Sequence, residues 1–288
     1  MPGEVALQGR AGRIAGWIAG WIAGWILVGV LWVAAPARPA AIDDLYPNAA
    51  AAYLVTVNGA LLWARAPDRA LPPASLTKIM TALLLVEDWE PDAVIRVSPE
   101  AAAATGSRLG LRAGERLRFA DAFDALLVSS ANDACLALAE HAAGSVARFV
   151  ERMNEKATAL KLRSAVFRNP CGLDAPGHVS SIRDLLVLAK LAMQQPEFAR
   201  AVAKPLVEIR TEGGRSLRKT SGNLLLGRVP GTVGIKSGFT SHAGKCLAAM
   251  VRRGQDEVVV VMLNAPDRWW SASILIEDAF AALDAARR

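Results

Sequence analysis

Strand-like runs stand near both ends of this chain with helical runs between them, and this order narrows the possible folds more than any other feature. Ala51 to Val57 is strand-like, and Asn58-Gly59 is a strong two-residue hairpin signal. Ala60 to Ala64 supplies the returning strand. Near the other end, Cys246 to Arg252 and Val258 to Asn264 flank Arg253-Gly254-Gln255, which reads as a second hairpin. Between them, Pro72-Pro73 breaks the chain before a helix that runs through an apolar stretch to Val86. Further helices are predicted over Asp121 to Val128, over Asp133 to Ala143 with a stop at Gly144, and after Ser145, where Val146, Phe149, Val150, Met153, Ala157 and Leu160 keep helical spacing. Ser181 with Asp184 resembles a capping box that opens another helix, ending before Pro196. Ile274 to Ala286 closes the chain as a helix. The expected architecture is α+β: an antiparallel sheet flanked by helices, with a helical insertion. At 288 residues, 53% hydrophobic and 21% charged, the chain is long enough for one large domain with a full core, or two small ones.

The first 41 residues are set apart as a signal peptide or N-terminal membrane anchor, with residues 42–288 left as one domain. Arg10 and Arg13 precede an apolar stretch from Ile14 to Ala35, inside which Gly-Trp-Ile-Ala recurs at Gly16, Gly20 and, with Leu27 in the last place, at Gly24. No polar face interrupts it, so a helix of the globular domain is a poor reading. Ala35-Pro36-Ala37 offers a small-x-small cleavage pattern, while the length approaches the about 20 apolar residues of a membrane span. Both versions place the rest of the chain outside the cytoplasm, in the periplasm or on the outer face of the membrane, because the positive end stays inside. The net charge of +6 is spread among acidic residues, and no zinc-finger spacing, RNA-binding signature or basic-region helix is present, so nucleic acid is not an expected partner. The three cysteines, Cys135, Cys171 and Cys246, form no CxxC pair, and no metal or other cofactor is expected. Cys135 and Cys246 read as small buried hydrophobes. An exported chain could still carry one disulfide, and the sequence does not choose its pair.

Three short motifs carry the chemistry. In Ser75-Leu76-Thr77-Lys78, residues three apart on a helix share a face. The serine needs a base, and a lysine serves if an apolar surround, here Ile79, Met80, Leu83 and Leu84, lowers its pKa. Ser216-Leu217-Arg218-Lys219 has the same spacing but is followed by turn residues, and reads as surface. Ser130-Ala131-Asn132 lies between two helices, where its hydroxyl can relay a proton and its amide can position lysine and substrate. Lys236-Ser237-Gly238 suits an edge strand: the cation and hydroxyl hold a carboxylate, and glycine lets a substrate backbone approach. Singly, each has an ordinary explanation as a chance pair, a helix junction or a strand end. Their order, spacing and context agree with the S-x-x-K, Ser/Asn and K-T-G signature of penicillin-binding proteins and β-lactamases, with Ser237 in place of Thr.

The likeness extends beyond the boxes. Leu71-Pro-Pro-Ala-Ser-Leu-Thr-Lys-Ile-Met-Thr-Ala-Leu, Ser130-Ala-Asn-Asp-Ala, Asn169-Pro-Cys-Gly-Leu-Asp174 and Gly234-Ile-Lys-Ser-Gly-Phe-Thr resemble the low-molecular-mass D-alanyl-D-alanine carboxypeptidases, over about Ala51 to Ala282. The resemblance implies a β-lactamase/transpeptidase-like fold and an acyl-enzyme on Ser75, with Lys78 as its base and Ser130 and Asn132 relaying protons and positioning. It also implies that Lys236, Ser237 and Gly238 bind substrate, that the N–H groups of Ser75 and Phe239 form the oxyanion hole, and that Arg268 stands near the terminal carboxylate. Arg183 is expected to brace the site. The implied partners are a peptidoglycan stem peptide ending in D-Ala-D-Ala, β-lactam antibiotics as covalent inhibitors, and, through the N-terminal segment, the membrane. Many members of the family continue into a small β-rich domain and a C-terminal amphipathic helix; this chain ends soon after the catalytic domain, so an anchor is expected only at the N-terminus. A DD-endopeptidase would use the same residues. A β-lactamase is disfavoured by the lack of a clear Glu-x-x-x-Asn element, and a silent wall-binding protein by retention of every polar group in the boxes. A Ser-His-Asp hydrolase lacks its G-x-S-x-G elbow, and a metallopeptidase its H-E-x-x-H.

Overall fold

The computed structural model describes residues 44–288, so the N-terminal segment read as a leader or anchor lies outside the described residues. The chain runs through β1 (Ala52–Val57), β2 (Ala60–Arg65), a 3-10 turn (Ala74–Thr77), α1 (Lys78–Glu87), β3 (Val94–Arg96), α2 (Pro99–Ala102), β4 (Arg116–Arg118), α3 (Phe119–Val128), α4 (Asn132–Ala143), α5 (Val146–Ala159), α6 (Ile182–Met193), α7 (Pro196–Val202), β5 (Leu206–Arg210), β6 (Ser216–Thr220), β7 (Thr232–Thr240), β8 (Gly244–Arg253), β9 (Asp256–Ala265) and α8 (Arg268–Ala286). Five strands form one antiparallel sheet in the order β2-β1-β9-β8-β7. The first hairpin turns where expected, with Asn58 and Gly59 both at positive φ, +49° and +84°.

The sheet is buried on both faces. Along β9, Val259, Val261 and Leu263 enter the larger core beneath the helical layer, while Val258, Val260 and Met262 enter a second core under α8. Alternate side chains point to opposite faces, so burial on both sides calls for the unbroken apolar run that β9 shows. Each such side chain contributes about 1.5–3 kcal/mol of burial relative to exposure. On the helical side α1 is almost wholly buried, Lys78 included. Strand β7, with the Lys236 box at its centre, is an edge strand, as a wall for an extended peptide requires.

Several boundaries differ from the sequence reading. Helix α8 begins at Arg268, because the Asp267 carboxylate accepts from the Trp270 N–H and caps it earlier. The capping box at α6 forms only its forward half: Ser181 Oγ accepts from Asp184 N–H, but the Asp184 carboxylate instead takes the Arg163 and Ser164 N–H groups. Two small sheets, β3-β4 and β5-β6, escaped the sequence reading; their strands are three and five residues long and mostly exposed, too short for a clear period. Cys135 is not a simple buried hydrophobe: it is joined to Cys171 in a disulfide, with Cα atoms 6.0 Å apart, and Cys246 is the free, buried cysteine.

Candidate active site

Ser75 sits in the 3-10 turn rather than in the α-helix proper, and Lys78 is the first residue of α1. Side chains three apart nearly eclipse in a 3-10 turn, and Lys78 Nζ lies 3.3 Å from Ser75 Oγ. The same amine donates at 2.7 Å to Asn132 Oδ1 and at 2.7 Å to the main-chain oxygen of Cys171. Burial holds the Lys78 amine well below its ordinary pKa; the positive charge of Lys236 pushes the same way, and Asp133 opposes it. The decoy Ser216 and Lys219 lie on exposed β6, where residues three apart point to opposite faces.

Asn132 opens α4, and its orientation is fixed from both ends: Nδ2 donates to Thr105 O at 2.6 Å and Oδ1 faces Lys78. Next to it, the buried Asp133 carboxylate accepts the N–H groups of Leu109, Gly110 and Leu111, pinning the loop before β4 against the site. Ser130, between α3 and α4, has φ +59°, a left-handed conformation that costs a non-glycine residue about 1–3 kcal/mol. Its Oγ is buried with no hydrogen-bond partner. A strained residue holding a free hydroxyl is an arrangement expected at a reacting centre.

The third wall is β7. A Cβ on Gly238 would lie 2.7 Å from the Ser75 nitrogen, so only glycine lets this strand pack against the serine turn. Lys236 is buried, donates to Ser237 O at 2.8 Å, and has its pKa lowered to about 7 by burial and by the Arg268 charge. Ser237 Oγ donates to Gly222 O at 3.0 Å. Phe239 follows on the same strand and is 62% exposed. Arg268 is half-buried at the start of α8 rather than in a solvated loop. Its Nη1 donates to the Gly238 carbonyl and, at 3.4 Å, to Cys246 O, its guanidinium lies 4.6 Å above the Trp269 ring, and its buried Nε has no partner. Arg183 stands apart from this group, paired with Asp68 at 2.7 Å on the surface.

A family model described as D-alanyl-D-alanine carboxypeptidase matches residues 40–267. The chain belongs to the D-alanyl-D-alanine carboxypeptidase family. Among curated relatives of this carboxypeptidase family, it is 31% identical over 229 residues to the D-alanyl-D-alanine carboxypeptidase DacF of Bacillus subtilis, covering 77% of this chain and 59% of that protein. It is 30% identical over 260 residues to DacB2 of Mycobacterium tuberculosis, covering 87% and 89%. A D-alanyl-D-alanine endopeptidase of Pseudomonas aeruginosa is 30% identical over 214 residues, covering 72% and 68%. The chain thus spans less than two thirds of the Bacillus relative and most of the mycobacterial one. Among solved structures, a D-alanyl-D-alanine carboxypeptidase of M. tuberculosis superposes with a TM-score of 0.77 at 29% identity, over 85% of this chain and 96% of that one. The Streptomyces K15 DD-transpeptidase gives 0.76 at 26%, over 81% and 97%. The expected α+β fold is the fold of these DD-peptidases.

Around this carboxypeptidase-family site, packing recruits residues to which the sequence reading assigned no role. Asn169 Oδ1 accepts from the N–H groups of Cys171, Gly172 and Leu173, shaping the loop that aims the Cys171 carbonyl at Lys78. Gly172, at φ +78°, lies so close to the serine turn that a Cβ would fall 1.9 Å from Ala74 O. Thr81 Oγ1 donates to Pro170 O, and Thr240 Oγ1 to Asp174. The signal available in the sequence was the Asn169-Pro-Cys-Gly-Leu-Asp174 run, an Asx-turn sequence whose partners lie far away in the chain. Among the described residues no cluster of three or more His, Cys, Asp and Glu side chains could hold a metal ion.

Proposed function

We propose that this chain is a serine-type D-Ala-D-Ala carboxypeptidase acting through an acyl-enzyme on Ser75. The observation that carries the reading is Lys78: a buried amine, its pKa lowered by burial, in contact with the Ser75 hydroxyl. Lys78 takes the Ser75 proton as Oγ attacks the penultimate D-alanine carbonyl. The Ser75 and Phe239 N–H groups stabilise the oxyanion. Ser130 passes the proton to the departing D-alanine nitrogen, the C–N bond breaks, and the acyl group stays on Ser75. Water then attacks that ester, Lys78 accepting its proton, and Ser75 Oγ leaves as the hydroxyl. Asn132 positions lysine and substrate. Lys236, Ser237 and Arg268 hold the C-terminal carboxylate, for which the unpartnered Arg268 Nε is a waiting donor. A β-lactam would be attacked as a mimic of the peptide terminus and released slowly.

The proposed substrate is a peptidoglycan stem peptide outside the cytoplasmic membrane, reached because residues 1–41 export the chain or anchor it. Among the described residues no helix is long and apolar enough to cross a membrane. The test is release of D-alanine from a peptide ending in D-Ala-D-Ala, with peptide mapping after penicillin treatment. Label on Ser75 and release of D-alanine are expected; label elsewhere, or neither event, would overturn the reading. The Pseudomonas relative makes cross-link endopeptidase activity the second reading. Equal turnover of free and C-terminally amidated peptides would favour it.

A further inference from the structure

The Cys135–Cys171 disulfide closes a span of 36 residues and is the one disulfide among the described residues. Its ends belong to the two segments that give Lys78 its carbonyl oxygens. Asn132, which supplies Oδ1, lies one helical turn before Cys135 on α4; Cys171 supplies its own main-chain oxygen. Cys171 Sγ lies 3.8 Å from the Asn132 carbonyl oxygen, and both cysteines are fully buried. One covalent bond therefore ties together both carbonyl oxygens that face the amine.

The placement matters because of how a neutral amine is built. It has two N–H bonds and one lone pair. To take the proton of Ser75, Lys78 must turn its lone pair to Oγ, which leaves the two N–H bonds to point elsewhere. Asn132 Oδ1 and Cys171 O, each 2.7 Å away, are the two acceptors that receive them. If either oxygen moved, an N–H would swing towards Ser75 and the lone pair away.

We propose that the Cys135–Cys171 disulfide is a positioning element of serine activation: it holds Asn132 Oδ1 and Cys171 O where they aim the Lys78 lone pair at Ser75, so that acylation depends on the bond. This rests on the reading of Lys78 as the base of Ser75. The Cys171 loop is also held by Asn169, by Thr81 through Pro170, and by Thr240 through Asp174, so it stays folded when the bond is lost but with more play. The groups facing Lys78 are Ser75 from the 3-10 turn, Asn132 and Asp133 from α4, the Cys171 carbonyl, and Lys236 from β7 with Arg268 behind it. Of these, only Lys236, Asp133 and Arg268 bear charge. A looser loop admits water to an amine whose low pKa comes chiefly from burial, and makes it harder to deprotonate.

The experiment measures the acylation rate by a fluorescent penicillin on the full chain across pH about 5 to 10, a range wide enough to define the lysine limb. It compares the oxidised protein, C135A/C171A, and the wild type reduced with dithiothreitol, in which the protein gains two S–H groups as the reagent closes to its cyclic disulfide. Intact mass confirms each redox state, and a cooperative melt confirms folding. Both disulfide-free forms should acylate at least ~10-fold more slowly near neutrality, equivalent to about 1.4 kcal/mol of barrier. Their rates should rise with pH as the amine loses its proton but level off below the plateau of the oxidised protein, because a neutral amine with a misaimed lone pair is still a poor base, and reoxidation of the reduced wild type should restore the original profile. A folded disulfide-free form with the rate and pH profile of the oxidised protein would overturn the inference and leave the proposed function standing. Absence of label on Ser75 in the oxidised wild type would overturn both.

Discussion

His178 Nε2 lies 2.8 Å from Thr77 Oγ1, the hydroxyl between Ser75 and Lys78 in the chain. His178 Nδ1 accepts the Arg168 N–H at 3.1 Å, so Nε2 carries the proton and donates it to Thr77. A neutral imidazole 101 residues away therefore braces the serine turn.

This pair makes stability depend on pH. Burial first, then the Arg168 charge, pushes His178 down from 6.5 to about 4, against a weaker pull from Asp174. Between those values the unfolded chain binds the proton and the folded chain does not, so stability falls as pH drops through this window. At about 1.4 kcal/mol per pKa unit, the loss is about 3 kcal/mol. Urea unfolding near neutrality and at the bottom of the window, on wild type and His178→Phe, measures it. The variant should lack this part of the acid sensitivity; an unchanged difference between the two conditions would place the sensitivity elsewhere.

Lys78→Arg should reduce penicillin acylation by roughly 10²–10⁴-fold, the usual share of a general base, because guanidinium stays protonated. In the wild type the rate should rise with pH as Lys78 loses its proton, at a value well below that of a solvated lysine. Stopped-flow acylation reads both effects. A variant reacting at near wild-type rate would remove Lys78 from the mechanism.

Lys236 predicts the opposite limb. It must be charged to hold a carboxylate, and in the free enzyme its pKa is lowered to about 7. For peptides with a free C-terminus, kcat/KM should therefore decline as pH rises past that value, giving a bell with the Lys78 limb. C-terminally amidated peptides should turn over poorly and lack the decline. A profile for free peptides that keeps rising would mean that Lys236 does not hold the carboxylate in its charged form.

Gly238→Ala should fold but acylate about 100-fold more slowly, the scale of loss for a displacement of about 1 Å at a reacting group. The new Cβ would meet the Ser75 nitrogen at 2.7 Å and Ala74 Cβ at 3.0 Å, so β7 and the serine turn must part. Fluorescent-penicillin labelling of the folded variant is the check. Undiminished labelling would show that the strand can shift without moving Ser75.

Features that act over a short stretch of chain were legible in the residues themselves. The Asn58-Gly59 turn, the Gly144 stop and the Ser145 cap each work within a few residues, through φ preference or a side chain bonding nearby backbone. The start of α8 was not legible, because Asp267 caps it only once the chain leaves β9 at that angle. The short strands of the two small sheets carried too few residues to show a period.

The sequence by itself determined which functional groups exist and in what order: a hydroxyl and an amine three residues apart, a Ser-x-Asn element, and a Lys-Ser-Gly run. These are properties of residue type and local spacing, and hold before the chain folds. Only the tertiary structure decided that Cys135 pairs with Cys171 and leaves Cys246 free, and that the Cys171 carbonyl, 93 residues from Lys78, receives its N–H. It likewise decided that Arg268 reaches the Gly238 carbonyl on β7 while Arg183 turns to Asp68. The reason is physical: desolvation and the aim of a lone pair are set by all the atoms that surround a group, and those atoms come from segments whose meeting no local period encodes.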